Sequence, residues 1–360
     1  MKKPLKVGVV GCGDIATLRY LCSINQIEGM QLEATCDIIE SKARKACETF
    51  GAKKYYLDYQ TMLAKVDIDV VIVTVPHVLH APVTIDCLKA GKHVLVEKPM
   101  ATTYEDTLAM AAAAKKAGRL LFPMPYNYTP EYMAVKKAIT DGMLGEVSQI
   151  WMNLSHSGPT HASWFYKKEL AKHGVLIDLG VYPITMALGL LGPVKSVNGI
   201  TNQLNLNRSC EDSGDFLEEV EDNVAIQLRY NDAKITSVQV NWCTGVSKDM
   251  DSCLYEIKVY GTKGYIYADV LKKKAFLYSQ LNTDAAGNNP GLVKLAIEAI
   301  PEEISKRWDG PIILKEFFNT LNSGALNVSW LNMEHQVIEI ITKSYTASET
   351  GQAQEIKSRF

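Results

Sequence analysis

The sequence predicts an α/β protein in two parts: a doubly wound parallel sheet over residues 1–123, then an α+β domain with a mostly antiparallel open sheet over 124–360. Three observations carry this expectation. A chain of 360 residues exceeds what one core organises, since single cores stop growing near about 250–300 residues. Apolar strands alternate with helical stretches as far as residue 122, a rhythm that builds a parallel sheet covered on both faces. After Pro123, Pro125 and Pro130 short strands follow one another without helices between them, as in an antiparallel sheet.

Taken in order, the first half reads as strand Leu5–Val10, helix Ile15–Glu28, strand Gln31–Cys36, and helices Ser41–Phe50 and Tyr59–Lys65. Strand Val70–Val75, helix Pro82–Ala90, strand His93–Val96, helix Tyr104–Ala117 and strand Leu120–Phe122 complete it. Val94-Leu95-Val96 is a continuous apolar run, as expected of a strand buried on both faces. Gly118 stands where a left-handed residue ends a helix. The second half reads as helix Glu131–Asp141, strand Glu146–Leu154, a loop Ser155–Lys172 and a helix over Gly174–Leu191. Strands Val194–Thr201, Asp222–Tyr230, Lys234–Trp242, Tyr255–Tyr260 and Gly264–Asp269 follow, and helices near Ile312–Leu321 and Asn332–Ser348 close the chain.

Hydrophobic content of 47% and charged content of 22% are those of an ordinary globular protein. A net charge of −2 offers no electrostatic case for nucleic acid or an anionic membrane. The eight cysteines are scattered without ligand or CxxC spacing, as in a reduced, cytoplasmic protein. No apolar run approaches a membrane span, and no leader fits ahead of the first strand. His156 and His161 lie five apart with no carboxylate or cysteine to complete a ligand set, so no metal site is expected. They read as loop or substrate-rim residues. The acidic run Asp212–Asp222 reads as a solvated surface loop.

The chemistry begins at Gly11-Cys12-Gly13-Asp14-Ile15-Ala16, a G-x-G-x-x-A run that directly follows a strand and opens a helix. Gly11 permits a tight turn, Gly13 lets main chain approach a pyrophosphate, and Ala16 permits close helix–strand packing. Asp37 ends the second strand 21 residues beyond Ala16, where an acid accepts hydrogen bonds from an adenosine ribose. The pattern points to a dinucleotide. Asp37 disfavours a 2′-phosphate and hence favours NAD, while Arg44 keeps NADP open. Thr74, Pro76 and His80 follow another buried strand, which places them toward the nicotinamide half; His80 could instead brace the next helix.

Lys98 emerges just after Val94-Leu95-Val96, in Glu97-Lys98-Pro99. Ligands of open α/β sheets bind outside the carboxyl ends of the strands, and Pro99 restricts the residue before it. Alone, the tripeptide also fits a surface lysine in a turn. Asp178 and Tyr182 lie four apart within an apolar helix, so their side chains share a face. A buried aspartate needs a partner, and an ammonium such as that of Lys98 would serve; the alternative is a core ion pair with a core tyrosine.

Together these segments resemble the Gfo/Idh/MocA oxidoreductase family. The likeness rests on Gly11-x-Gly13-x-x-Ala16, Pro76-x-x-x-His80, Ala90-Gly91-Lys92-His93-Val94 leading into Glu97-Lys98-Pro99, Asp178-x-Gly180, and the Gly261-Thr262-Lys263-Gly264 turn. The resemblance implies an N-terminal Rossmann domain and a C-terminal α+β domain whose open sheet face often forms a subunit interface, hence a homodimer or homotetramer. It implies redox chemistry at a hydroxyl or carbonyl of sugars and cyclic polyols, with a nicotinamide cofactor. Lys98 is then the catalytic, nicotinamide-ribose-contacting lysine, Asp178 its partner and a substrate ligand, and Tyr182 the proton donor or acceptor. The cofactor set becomes Gly11, Gly13, Asp14, Ile15, Asp37, Thr74, Pro76, His80, Glu97, Lys98 and Trp164.

Departures from the family pattern are equally specific. Tyrosine stands at Tyr182 where many relatives carry histidine; a free phenol ionises near pH ~10, so a base role near neutrality asks for a cation such as Lys98. The glycine run before Asp178 is reduced to Lys172-His173-Gly174, and Phe165 follows Trp164 where arginine is frequent. In Pro125-Tyr126-Asn127-Tyr128-Thr129-Pro130, Asn127 takes a position where the family has arginine. Tyr126, Asn127, Tyr128, His161, Asp178 and Tyr182 are the expected substrate contacts. Two other readings remain open at this point: an NAD-using glycosidase that oxidises its sugar only transiently, and a catalytically silent dinucleotide or sugar sensor.

Overall fold

The computed structural model describes residues 3–124, 129–204, 207–244, 253–283, 287–297, 309–324 and 328–360. The chain forms two compact units, Met1–Pro125 with Ile300–Leu331, and Tyr126–Ala299 with Asn332–Phe360. The expected second domain, 124–360, is therefore interrupted, because one late segment packs with the first unit. Among the described residues, no single helix is long and apolar enough to cross a membrane.

In the first unit, strands β1 (Leu5–Val10), β2 (Met30–Cys36), β3 (Lys54–Tyr56), β4 (Val70–Val73), β5 (His93–Val96) and β6 (Leu121–Pro123) form one sheet. Its order is β3-β2-β1-β4-β5-β6 and every pairing is parallel. β1 pairs with β2 on one side and β4 on the other, so the strand order reverses beside β1, where doubly wound sheets bind ligands. All four residues of β4 are buried, as helices on both faces require. The helix after β1 is shorter than expected and ends at Ile24, with Ala16–Leu21 wound as a π-helix.

The late segment contributes the helix Gly310–Ser323. Phe317 meets Phe122 edge-on, with ring centroids 5.6 Å apart. A side chain on Gly310 would collide with the main chain of Arg19, and Trp330 Nε1 donates to the Pro123 carbonyl at 3.1 Å. These contacts, distant in sequence, draw 300–331 into the first unit.

The second unit is built on β7 (Val147–Ser155), β8 (Ser196–Asn202), β11 (Asn223–Arg229), β12 (Ile235–Asn241), β13 (Leu254–Gly261), β14 (Gly264–Asp269), β15 (Lys274–Ser279), β16 (Leu292–Lys294) and β17 (Gln354–Glu355). The sheet order is β16-β15-β14-β13-β7-β12-β11-β8-β17. β7 and β12 run parallel and the other neighbours antiparallel. A separate hairpin joins β9 (Asn207–Cys210) to β10 (Gly214–Leu217). One face is apolar and buried through Ile150, Met152, Val224, Ile226, Val238, Ile257 and Val259, the alternation expected of a sheet covered on one side. The helix Val181–Leu191 packs against β7 and β12.

The helix expected over Gly174–Leu191 is in fact two, Val175–Asp178 and Val181–Leu191, and the stretch Lys168–Asp178 is bent by 43° from Val181–Leu191. Pro183 has no N–H to return to Leu179, and the Leu179 carbonyl accepts from Tyr182 N instead, at 3.2 Å. Asp178 and Tyr182 thus flank a bend, and the shared-face argument from an unbroken helix does not apply.

Candidate active site

In the first unit the expected cofactor residues collect at the carboxyl ends of β1, β2, β4 and β5. Gly11 follows β1 with φ +92°, and an added Cβ would lie 2.5 Å from the Thr74 carbonyl oxygen, so the turn admits only glycine. At Gly13 an added Cβ would meet nothing within 4 Å. Asp14 is exposed and Ile15 half-buried at the start of the helix. Asp37 accepts from Cys12 N and Ile39 N, both at 2.8 Å, which ties the end of β2 to the glycine turn. Thr74 Oγ1 donates to the Gly11 carbonyl at 2.8 Å, joining the ends of β4 and β1. Pro76 is half-buried two residues further on.

The turn after β5 is held from below. Glu97 is buried; its Oε1 receives Arg19 Nη1 at 2.5 Å and Tyr20 Oη at 2.7 Å, and its Oε2 receives the main-chain N of Lys98 at 2.8 Å. Burial alone would raise this carboxyl, but the Arg19 guanidinium, the Tyr20 hydroxyl and the Lys98 N–H together hold it below its ordinary value. His80 is buried between two carbonyls, Nδ1 2.6 Å from Pro99 O and Nε2 2.8 Å from Val75 O. Burial lowers its pKa against the pull of those carbonyls, and the Lys98 charge lowers it further. Glu97 and His80, expected as cofactor contacts, thus spend their polar atoms on protein. They fix the two loops that carry Lys98 and Pro76, and Lys98 itself is half-buried.

In the second unit Trp164 lies half-buried on the short helix Ser163–Tyr166, its ring stacked on Phe165 at 3.8 Å. His161 is exposed and meets Phe165 edge-on. Asp178 is 4% exposed and close to Tyr166, whose phenol is pushed up chiefly by burial and only slightly by this carboxylate; Tyr182 is half-buried and near Tyr255. Tyr126, Asn127 and Tyr128 lie outside the described residues.

The acidic run is only partly solvated. Asp212 accepts from Ser163 N and so holds the Trp164 turn. Glu218 and Asp222 are buried on Arg208, at 2.9 and 3.1 Å. Each of these carboxylates finds a donor about ten to fifty residues away in sequence, which local charge density does not reveal.

Residues 5–124 match the oxidoreductase family with an NAD-binding Rossmann fold, and residues 132–267 match the GFO/IDH/MocA C-terminal domain. The chain belongs to the Gfo/Idh/MocA family. Among curated family relatives, D-glucoside 3-dehydrogenase of Escherichia coli (strain K12) is 26% identical over 97% of this chain and 96% of its own. The dTDP-3,4-didehydro-2,6-dideoxy-alpha-D-glucose 3-reductase of Streptomyces violaceoruber is 33% identical over 55% of this chain and 57% of its own. Among solved structures, levoglucosan dehydrogenase in complex with NADH superposes with a TM-score of 0.85 at 22% identity, covering 99% and 100% of the two chains.

The residues present fit the family's dinucleotide. The open space over Gly13 and the N-terminus of the following helix suit a pyrophosphate, and the outer edge of the Asp37 carboxylate suits ribose hydroxyls. The first unit is an NAD-binding Rossmann domain. Among the described residues, no group of three or more His, Cys, Asp or Glu side chains could hold a metal ion.

Proposed function

We propose that this chain transfers hydride between nicotinamide and a hydroxyl or carbonyl carbon of a sugar or cyclic polyol. The observation that carries the reading is the sharing of one sheet edge by the Gly11–Gly13 turn, Asp37 and a Lys98 turn locked by Glu97. A bound nicotinamide supplies the hydride acceptor or donor. In this reading Tyr182 moves the proton of the reacting hydroxyl, Lys98 contacts the nicotinamide ribose, and Asp178 orients substrate. Glucosides, levoglucosan, inositols and deoxy-sugar nucleotides appear in the names of relatives, which supports a polyhydroxylated ring as substrate. Trp164 and Phe165 supply an aromatic surface against which such a ring can stack.

NAD is the preferred cofactor in this reading. Asp37 follows β2 beside the glycine turn, where its carboxylate would accept from ribose hydroxyls, and its neighbour Ile38, 87% exposed, offers an apolar surface to adenine and no cation to a 2′-phosphate. Arg44 is exposed and close to Tyr55. The protein also works as a homo-oligomer through the second unit's open sheet face, where Lys258 lies over Trp151 at 4.2 Å and Tyr265 stacks on Tyr278.

The test is absorbance at the reduced-nicotinamide band with purified protein, aldoses, glucosides, inositols and keto-sugars, using NAD and NADP in both directions. Substrate-dependent reduction of NAD is expected. Dinucleotide binding without turnover on any ring substrate would overturn the reading, and release of free sugar without net cofactor reduction would replace it with a glycosidase.

A further inference from the structure

The turn that carries Asp178 cannot hold itself. Val175–Asp178 is a single helical turn, far below the length at which a helix is stable alone, and its leading N–H groups have no partners within it. One residue satisfies three of them. The Glu221 carboxylate accepts from Gly174 N at 2.9 and 3.0 Å and from Leu176 N at 3.3 Å, while its main-chain carbonyl accepts from Val175 N at 3.0 Å. Tyr345 Oη donates to Glu221 Oε1 at 2.6 Å, and the Tyr345 ring stacks on His173 with centroids 3.9 Å apart and planes 13° from parallel. The approach is so close that a Cβ on Gly174 would lie 2.0 Å from the Glu221 carbonyl oxygen. At the other end of the turn, Asp178 N donates to the Gly174 carbonyl at 3.2 Å, so what fixes Gly174 fixes Asp178.

We infer that Glu221, braced by Tyr345, is a positioning residue that sets Asp178 for the reaction by clamping the three N–H groups at the start of its turn. The inference rests on the role proposed above for Asp178. Its physical basis is the match between a carboxylate and the positive end of a helical turn, and the sensitivity of catalysis to the placement of a reacting group. Glu221 lies 47 residues from Gly174, so a carboxylate distant in sequence, together with the His173–Tyr345 stack, shapes this turn.

The test uses the full chain with Glu221→Gln, Tyr345→Phe and Asp178→Asn. Glu221→Gln keeps size and one acceptor but turns an amide NH2 against the Gly174 or Leu176 N–H. Turnover on the sugar substrate is expected to fall roughly ten- to a hundredfold, with dinucleotide affinity, read by fluorescence titration without sugar, unchanged within about twofold. Amide hydrogen exchange over 174–178 is expected to quicken by roughly tenfold. Tyr345→Phe should shift both readouts the same way by less, and it carries the comparison if Glu221→Gln does not fold. A lower melting temperature with turnover and exchange over 174–178 both unaltered would overturn the inference. An inactive Asp178→Asn beside a fully active Glu221→Gln sinks this inference alone; a fully active Asp178→Asn sinks the reading beneath it.

Discussion

Lys98 owes its place to partners far from it in sequence. Its own main-chain N–H is bound by Glu97, and Glu97 is bound by Arg19 and Tyr20, which are 78 and 77 residues away. The helix that follows the glycine turn and the turn that presents the lysine are therefore tied through one buried carboxylate. Replacing Lys98 with Ala should lower turnover by roughly two to four orders of magnitude while dinucleotide binding persists, because Gly11, Gly13 and Asp37 stand in the turns after two other strands, β1 and β2; near-normal turnover would remove the lysine from the mechanism. Gly11, Asp37 and Lys98 were legible in the sequence because each depends on a short local pattern at a strand end. Arg19, Tyr20, Glu221 and Tyr345 were not, since a buried partner many residues distant leaves no periodic trace. The one available signal was an arginine and a tyrosine placed side by side in an otherwise ordinary first helix.

Elements with strong periodicity came through, and those made by tertiary contact did not. β4 and β5 are continuous apolar runs and lie within a residue or two of their expected bounds. β3 is an exposed three-residue edge strand, and β16 and β17 are three and two residues long, too short for any pattern to register. The helix break at Leu179–Gly180 was hidden because the whole segment is apolar and Pro183 can occupy a first turn without disrupting it. A second buried acid shows what a pattern cannot reveal. Glu334, in the helix Val328–Thr350, is 1% exposed, and burial pushes its carboxyl up to about 8. A carboxyl raised on folding makes the native state hold more protons than the unfolded chain from about pH 4.5 to about 8, so its stabilising effect is complete below that window and lost as pH rises through it. Glu334→Gln should therefore raise the melting temperature more at pH ~9 than at pH ~5, by about 3 °C or more. An equal change at both would show that the group does not titrate there.

At the scale of the whole molecule, the open face of the second unit's sheet is where association should be tested. Trp151, Tyr260, Tyr265, Tyr267, Phe276 and Tyr278 occupy the positions that alternate with the buried ones on β7, β13, β14 and β15. Tyr265, 40% exposed and paired in register with Tyr260 and Tyr278, stands near the centre of that surface. Tyr265→Glu should reduce the mass measured by light scattering to that of one chain without loss of fold, since the side chain leaves no core position empty. A wild-type protein that is already a single chain would end the proposal.

The grouping of Ile300–Leu331 with the first unit has a consequence for biosynthesis. The ribosome releases the Rossmann strands first, yet the helix bearing Phe317, which meets Phe122, and the indole of Trp330, which binds Pro123, leave it only after β7 to β16. The nascent dinucleotide domain must wait with part of its apolar surface uncovered, and such intermediates engage chaperones. Severing the gene after residue 124 would make that waiting state permanent.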